Sequence, residues 1–209
     1  MKKIIYVLPS LFLSTQVQAH AGRLDAQGGH TYRDTGIYHC HKEPCFSLMK
    51  KKYSRKNWRH WLDADKDCQN TRVEVLLRDA KHEVSSWQTK RCKVKTGAWQ
   101  CPYTGRLFTD SSELDIDHIV PLKEAFISGA NRWNKSEKTA FANDMDNLLV
   151  VEALENRQKG SKDPAQWLPE NVNYHCTYIK KWVAVKEKYQ LVIDEQEKRA
   201  IDAILQNCS

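Results

Sequence analysis

The sequence predicts an α+β domain that is mostly helical, with a short pair of strands near its middle. Three observations lead there. Six segments carry apolar residues at a helical period: "TRVEVLLRDAKH", "LKEAFISGA", "SEKTAFANDM", "EALENRQKG", "YIKKWVAVKEKY" and "IDEQEKRAIDAIL". Two shorter stretches, "LDIDHIV" and "NLLVV", read as strands. No repeat or low-complexity tract interrupts this order.

The 209-residue chain opens on "MKK", then the apolar run "IIYVLPSLFL", then "VQA". A basic start, a short apolar run and a small residue at its end predict a signal peptide over residues 1–19, cleaved after Ala19 or Ala21. An apolar run of ten is about half of the roughly 20 residues that span a bilayer, so it is no anchor. A secreted or periplasmic mature protein with no membrane part is expected. Without Lys2 and Lys3, 31 basic and 26 acidic side chains remain, an excess of five positive charges that suits a polyanionic partner.

Residues 20–45, rich in Gly and His and poor in aliphatics, read as a small irregular module. Residues 46–62 form a basic connector, with six basic residues between Lys50 and Arg59 interleaved with Tyr53, Trp58 and Trp61. That pattern fits either a solvated helix face or a nucleic-acid contact. The main domain is expected over 63–209.

In that domain Thr71 is the candidate cap of the first helix, ahead of Val73, Leu76, Leu77 and Ala80. "CKVKTGAWQC" reads as a hairpin turning at Thr96-Gly97, and "PYTG" as a turn. The hairpin places Cys92 opposite Cys101 for a disulfide; Cys176–Cys208 would tie the last two helices together. Of seven cysteines one is left over, with Cys68 the leading candidate and Cys68–Cys92 the alternative pairing. Helices ending at Gly129 and Gly160 are expected from the residue that best tolerates positive φ. A Cys40–Cys45 bridge and a metal site of His30, His39, His41 and Cys40 are both open readings of the first module.

Zincin, phosphate-loop and serine-elbow patterns are absent from the sequence. One constellation remains. Asp117 and His118 end a strand, Asn147 opens the next, and Asn156 lies on the helix that follows. An ionisable His in phase with Leu114 and Ile116 is either a core imidazole paired to Asp115 or a catalytic group at a strand end. For Asp117 and His118 to converge on one phosphate, the strand must bend or bulge there.

"DIDHIVPL", "DNLLVV" and "ENRQKGSKDP" together resemble the HNH endonuclease motif, a ββα-metal finger. With "PYTG", "FAND" and "DPAQWLP", the chain from about 68 to Cys208 is similar to bacterial secreted HNH nucleases. "RLDAQGGH" and "GIYHCHK" resemble the His-rich YHYH module of some exported nucleases. The resemblance implies an endonuclease acting on DNA as a monomer, with RNA as an open second substrate, and identifies no immunity partner. No recognition helix or zinc-finger array is visible in the sequence, so little sequence preference is expected. It makes His118 the general base, Asp117 and Asn156 the ligands of one divalent cation, and Asn147 the residue that pins the loop orienting His118. Oxygen ligands favour Mg²⁺ or Mn²⁺ over Zn²⁺. Arg72, Arg157, Lys159 and Lys162 are candidate phosphate contacts, and Asp115 and Glu124 candidate supports for His118 or the metal. Two rivals stand beside this reading: a metal-independent ribonuclease using His118 with a second His, and a non-enzymatic nucleic-acid-binding or uptake protein.

Overall fold

The computed structural model describes residues 23–31, 38–82, 84, 86–88 and 92–208. The expected signal peptide lies outside them. Among the described residues no helix is long and apolar enough to cross a membrane.

The chain starts with a small antiparallel ribbon, β1 (Gly29–Thr31) and β2 (Tyr38–Cys40), in which His30 pairs with His39. A Cys40–Cys45 disulfide ties it to α1 (Cys45–Met49). Next comes α2 (Thr71–Arg78), capped by the Asn70 side chain accepting from the Val73 amide. Thr71 lies inside the helix, and its hydroxyl donates to the Leu62 carbonyl. Asn70, one residue earlier, has the extended backbone a cap requires.

A three-stranded sheet follows, with β3 (Ser86–Gln88), β4 (Lys93–Gln100) and β5 (Leu107–Asp110) in that spatial order. The expected hairpin is not there: β4 continues through Thr96-Gly97 as one strand, with a register irregularity against β5 between Thr96 and Trp99. Gly97 is small for a packing reason. A Cβ at this position would lie 2.5 Å from the Trp99 ring. Cys92 and Cys101 therefore sit beyond opposite ends of an eight-residue strand, tens of ångströms apart at about 3.3 Å per residue. No disulfide spans that distance. Cys92 pairs with Cys68 instead, Cys176 with Cys208 as expected, and Cys101 is the free, buried thiol. "PYTG" does turn, closing with the Gly105 amide on the Cys101 carbonyl at 2.7 Å.

The centre of the molecule is β6 (Leu114–His118) paired antiparallel with β7 (Leu148–Glu152), in unbroken register from Leu114↔Glu152 to His118↔Leu148. Between them the chain forms α3 (Leu122–Ile127) and α4 (Lys135–Ala142), the latter started by an Asn134/Glu137 capping box. Directly after β7, α5 (Ala153–Lys159) folds back on both strands and stops at Gly160, φ 58°. The long α6 (His175–Lys188) and α7 (Glu195–Leu205) complete the domain, α7 opening on an Asp194/Glu197 capping box. The fold is α+β, with a β-β-α unit at its heart.

Two apolar clusters sandwich that unit. Val73, Val75 and Leu76 of α2 pack with Val94, Trp99, Leu114, Ile116, Leu148 and Val150. On the other side Tyr178, Ile179 and Trp182 of α6 pack with Ile119, Val120, Phe141 and Tyr103. Trp58 is 1% exposed and packs tilted against Trp133 and edge-on against Phe141, and Tyr53 packs edge-on against Phe126. Burial takes Trp58 out of reach of a base, while Tyr53 and Trp61 remain partly exposed.

Candidate active site

Period 2 decides how β6 presents its polar residues. Asp115 and Asp117 share one face of the strand, and Leu114, Ile116 and His118 the other. On α5, Asn156 and Lys159 are three residues apart and so share a face. Laying that face along β6 makes two rungs. The Asn156 amide donates to Asp115 Oδ2 at 3.1 Å, and the Lys159 ammonium meets Asp117 at 2.8 and 3.0 Å.

The expected bend at 117–118 is absent, because the β6–β7 register is unbroken there. Asp117 and His118 point to opposite faces, as an ordinary strand dictates. Asp117 is 4% exposed and accepts from the Tyr103 hydroxyl at 2.6 Å as well as from Lys159. Burial pushes the Asp117 carboxyl up and the Lys159 ammonium down, and their mutual attraction opposes both shifts. Burial, then the Asp117 charge, holds Tyr103 well above the usual phenol range, so it stays a donor. The second Lys159 bond, 2.8 Å to the His118 carbonyl, anchors the backbone at the strand end.

His118 is buried on the far side. Its Nε2 lies 2.9 Å from the Ala142 carbonyl, and its ring stacks on Trp61 at 5.9 Å between centroids, 28° between planes. Burial lowers its pKa to about 3, so the imidazole is neutral near pH 7. A carbonyl only accepts, so Nε2 carries the proton and Nδ1 the lone pair. Asn143, next to Ala142, locks the covering segment in place. Its Oδ1 accepts from the Leu62 amide at 3.0 Å and its Nδ2 donates to the Arg59 carbonyl at 2.8 Å.

Asn147 is fully buried and satisfies both backbone groups of Val120: Oδ1 accepts from its amide at 2.8 Å and Nδ2 donates to its carbonyl at 3.2 Å. Its own carbonyl accepts from the Ile119 amide. Three bonds from one residue fix the turn that follows His118.

The remaining candidates separate. The Arg72 guanidinium donates to the Leu114 and Ser111 carbonyls at 2.9 and 3.3 Å. Burial lowers its pKa, and the Asp115 charge partly restores it. Arg157, its side chain 73% exposed, lies 3.8 Å from Asp115. Lys162 is exposed and bonds the Gln158 carbonyl. Lys159 is buried, so it is no surface phosphate contact. Glu124 is elsewhere: with Glu197 it binds the buried Lys186, at 2.7 and 3.2 Å.

Sequence reasoning passed over Trp61, Tyr103 and Asn143 as parts of this site. Tyr103 and Asn143 lie in "PYTG" and "FAND", stretches that did stand out, whereas Trp61 carries no local sign that it covers His118.

No solved structure matches the chain. A protein of Arthroderma benhamiae described as an uncharacterized secreted protein is 39% identical over 158 residues, covering 75% of this chain and 76% of that protein. Residues 70–204 match the family model of GmrSD restriction endonucleases, C-terminal domain. That span holds Asp117, His118, Asn147 and Asn156 together with α2 and the helices that pack around them. The chain belongs to the family of the C-terminal domain of GmrSD restriction endonucleases.

Proposed function

We propose that the chain is an exported, metal-dependent endonuclease of the HNH type, hydrolysing phosphodiester bonds of DNA, and of RNA as a second substrate, with little sequence preference. The observation that carries this reading is the hold on His118. Its Nε2 proton is committed to the Ala142 carbonyl and the loop beyond it is pinned by Asn147. Nδ1 is thereby left as the acceptor for a proton from the attacking water. Burial holds the His118 pKa at about 3, so to act as a base the imidazole would need more polar surroundings once substrate is bound.

The donor set fits a hard divalent cation. Asp115, Asp117 and Asn156 offer oxygens, the chemistry Mg²⁺ and Mn²⁺ prefer. Asn156 with Asp117 or Asp115 would hold it. Asp115 already faces Asn156, whereas Asp117 is committed to Lys159 and Tyr103 and would have to exchange Lys159 for the cation to serve as a ligand. A cation held there would stabilise charge on the scissile phosphate and the leaving 3′ oxygen. Because His118 faces the other side of β6, the strand end would have to rearrange for both to serve one phosphate. Arg157, exposed beside Asp115, would contact a phosphate, with Arg72 and Lys162 as weaker candidates. Export is supported by the amino-terminal sequence, by three disulfides and by likeness to a protein described as secreted.

The test is purified mature protein on plasmid, single-stranded DNA and RNA, each with Mg²⁺, Mn²⁺, Zn²⁺ or chelator. Cleavage of DNA with Mg²⁺ or Mn²⁺, abolished by chelator, is expected. Chelator-resistant cleavage of RNA alone selects a metal-independent ribonuclease. Binding without cleavage selects a non-enzymatic nucleic-acid-binding protein.

A further inference from the structure

His30, His39 and His41 lie far from the nuclease chemistry in sequence and bring their ring nitrogens within 4.8 Å of one another. We infer that these three imidazoles form a second metal site, specific for a borderline transition-metal cation such as Zn²⁺ and independent of the cation at the nuclease site.

The backbone dictates the cluster. His30 and His39 are directly opposed across β1 and β2, and His41 is two residues beyond His39, on the same face. Ring centroids are 4.4, 4.7 and 4.9 Å apart. The Nε2 atoms of His30 and His39 are 2.9 Å apart. Around a zinc ion with bonds of about 2.0–2.1 Å, tetrahedral ligand nitrogens sit roughly 3.3 Å apart. Small ring rotations therefore suffice to close the three nitrogens on one ion.

The support is built as well. The amides of His41 and Lys42 both donate to the Gly28 carbonyl at 3.0 Å, fixing the strand end that carries His41. Cys40, between the two histidines, points to the other face and is committed to the bridge with Cys45. With both sulfurs oxidised, the donors are nitrogen alone, which selects Zn²⁺, Cu²⁺ or Ni²⁺ over Mg²⁺. Three protein ligands leave a fourth position for water or an outside group.

A ribbon of two three-residue strands buries too little to hold itself together, so the ion would add a staple the core cannot supply. The ribbon touches the nuclease domain through Arg132, whose guanidinium lies 3.7 Å from the Tyr38 ring centroid and 3.8 Å from Asp25. Stapling the ribbon would keep this contact in register.

The experiment uses the full mature chain, stripped of metal and titrated calorimetrically with Zn²⁺ in excess Mg²⁺, with Co²⁺ as a visible-absorption probe. One equivalent of Zn²⁺ and the visible bands of a nitrogen-ligated Co²⁺ are expected. His30→Ala and His39→Ala should each weaken binding at least about tenfold. Asn156→Ala should take up Zn²⁺ like wild type. The inference is overturned if wild type binds no stoichiometric Zn²⁺ and shows no Co²⁺ bands. It is equally overturned if a folded His39→Ala chain binds as tightly as wild type, or if Asn156→Ala alone loses the ion.

Discussion

The ammonium of Lys159 lies 2.8 and 3.0 Å from the two carboxylate oxygens of Asp117, and neither side chain is more than 4% exposed. A charge pair this deep is held by mutual neutralisation, and removing one partner leaves the other charge stranded. Lys159→Met should therefore cost about 3–5 kcal/mol of stability, read as a lower denaturant midpoint. The double variant with Asp117→Asn should recover a large part of that loss, since it strands no charge. A loss below about 1 kcal/mol in the single variant, the range of surface pairs, would show that the pair is not buried in solution.

His118 is the second lever. His118→Ala should leave the far-ultraviolet dichroism unchanged and lower cleavage at least about 10²-fold, the lower end of what a general base contributes. Near-normal rates in a folded variant would remove His118 from the mechanism and leave its bond to Ala142 a packing feature.

Sequence rules read this protein best where local chemistry decides. Gly129 and Gly160 follow α3 and α5 with φ of 138° and 58°, and the strand-strand-helix order around Asp117 and Asn147 is as the periodicity predicts. They fail where packing, near or far along the chain, decides. Gly97 looked like a turn residue because its reason for being small is the Trp99 ring above it. Lys159 looked like a surface cation until the fold placed Asp117 and a carbonyl beneath it. Expecting a bend at 117–118 assumed that Asp117 and His118 act on one side of the strand; they lie on two. The cover that Trp61 lays on His118 joins positions 57 residues apart and leaves no periodic trace.

Cysteine chemistry gives a third test. Cys101 is 1% exposed, and its sulfur accepts from the Glu152 amide at 3.2 Å. Under native conditions a thiol reagent should find nothing to label; in denaturant without reductant it should label one thiol per chain, at Cys101. Non-reducing peptide mapping should join Cys68 to Cys92. Recovery of a Cys92–Cys101 peptide would mean that β4 does turn at Gly97 and that the three-stranded sheet is wrong.

The cation site can be resolved ligand by ligand. Asn156 bonds Asp115, while Asp117 is satisfied by Lys159 and Tyr103. If Asn156 supplies an oxygen ligand, Asn156→Ala should cut cleavage, with partial rescue at high Mn²⁺. Asn156→His offers imidazole, a softer ligand better suited to transition metals. It should keep activity with Mn²⁺, Co²⁺ or Ni²⁺ while losing more of it with Mg²⁺. The carboxylates are then separated by a matched pair. Asp115→Asn removes the charge that faces Asn156, and Asp117→Asn removes the one that faces Lys159. The variant that shifts the Mg²⁺ concentration needed for half-maximal cleavage marks the ligand. The other should change stability or rate without moving that concentration. Identical metal preference and rate across wild type and both Asn156 variants would exclude Asn156 as a ligand and, with it, the cation site on this face of α5.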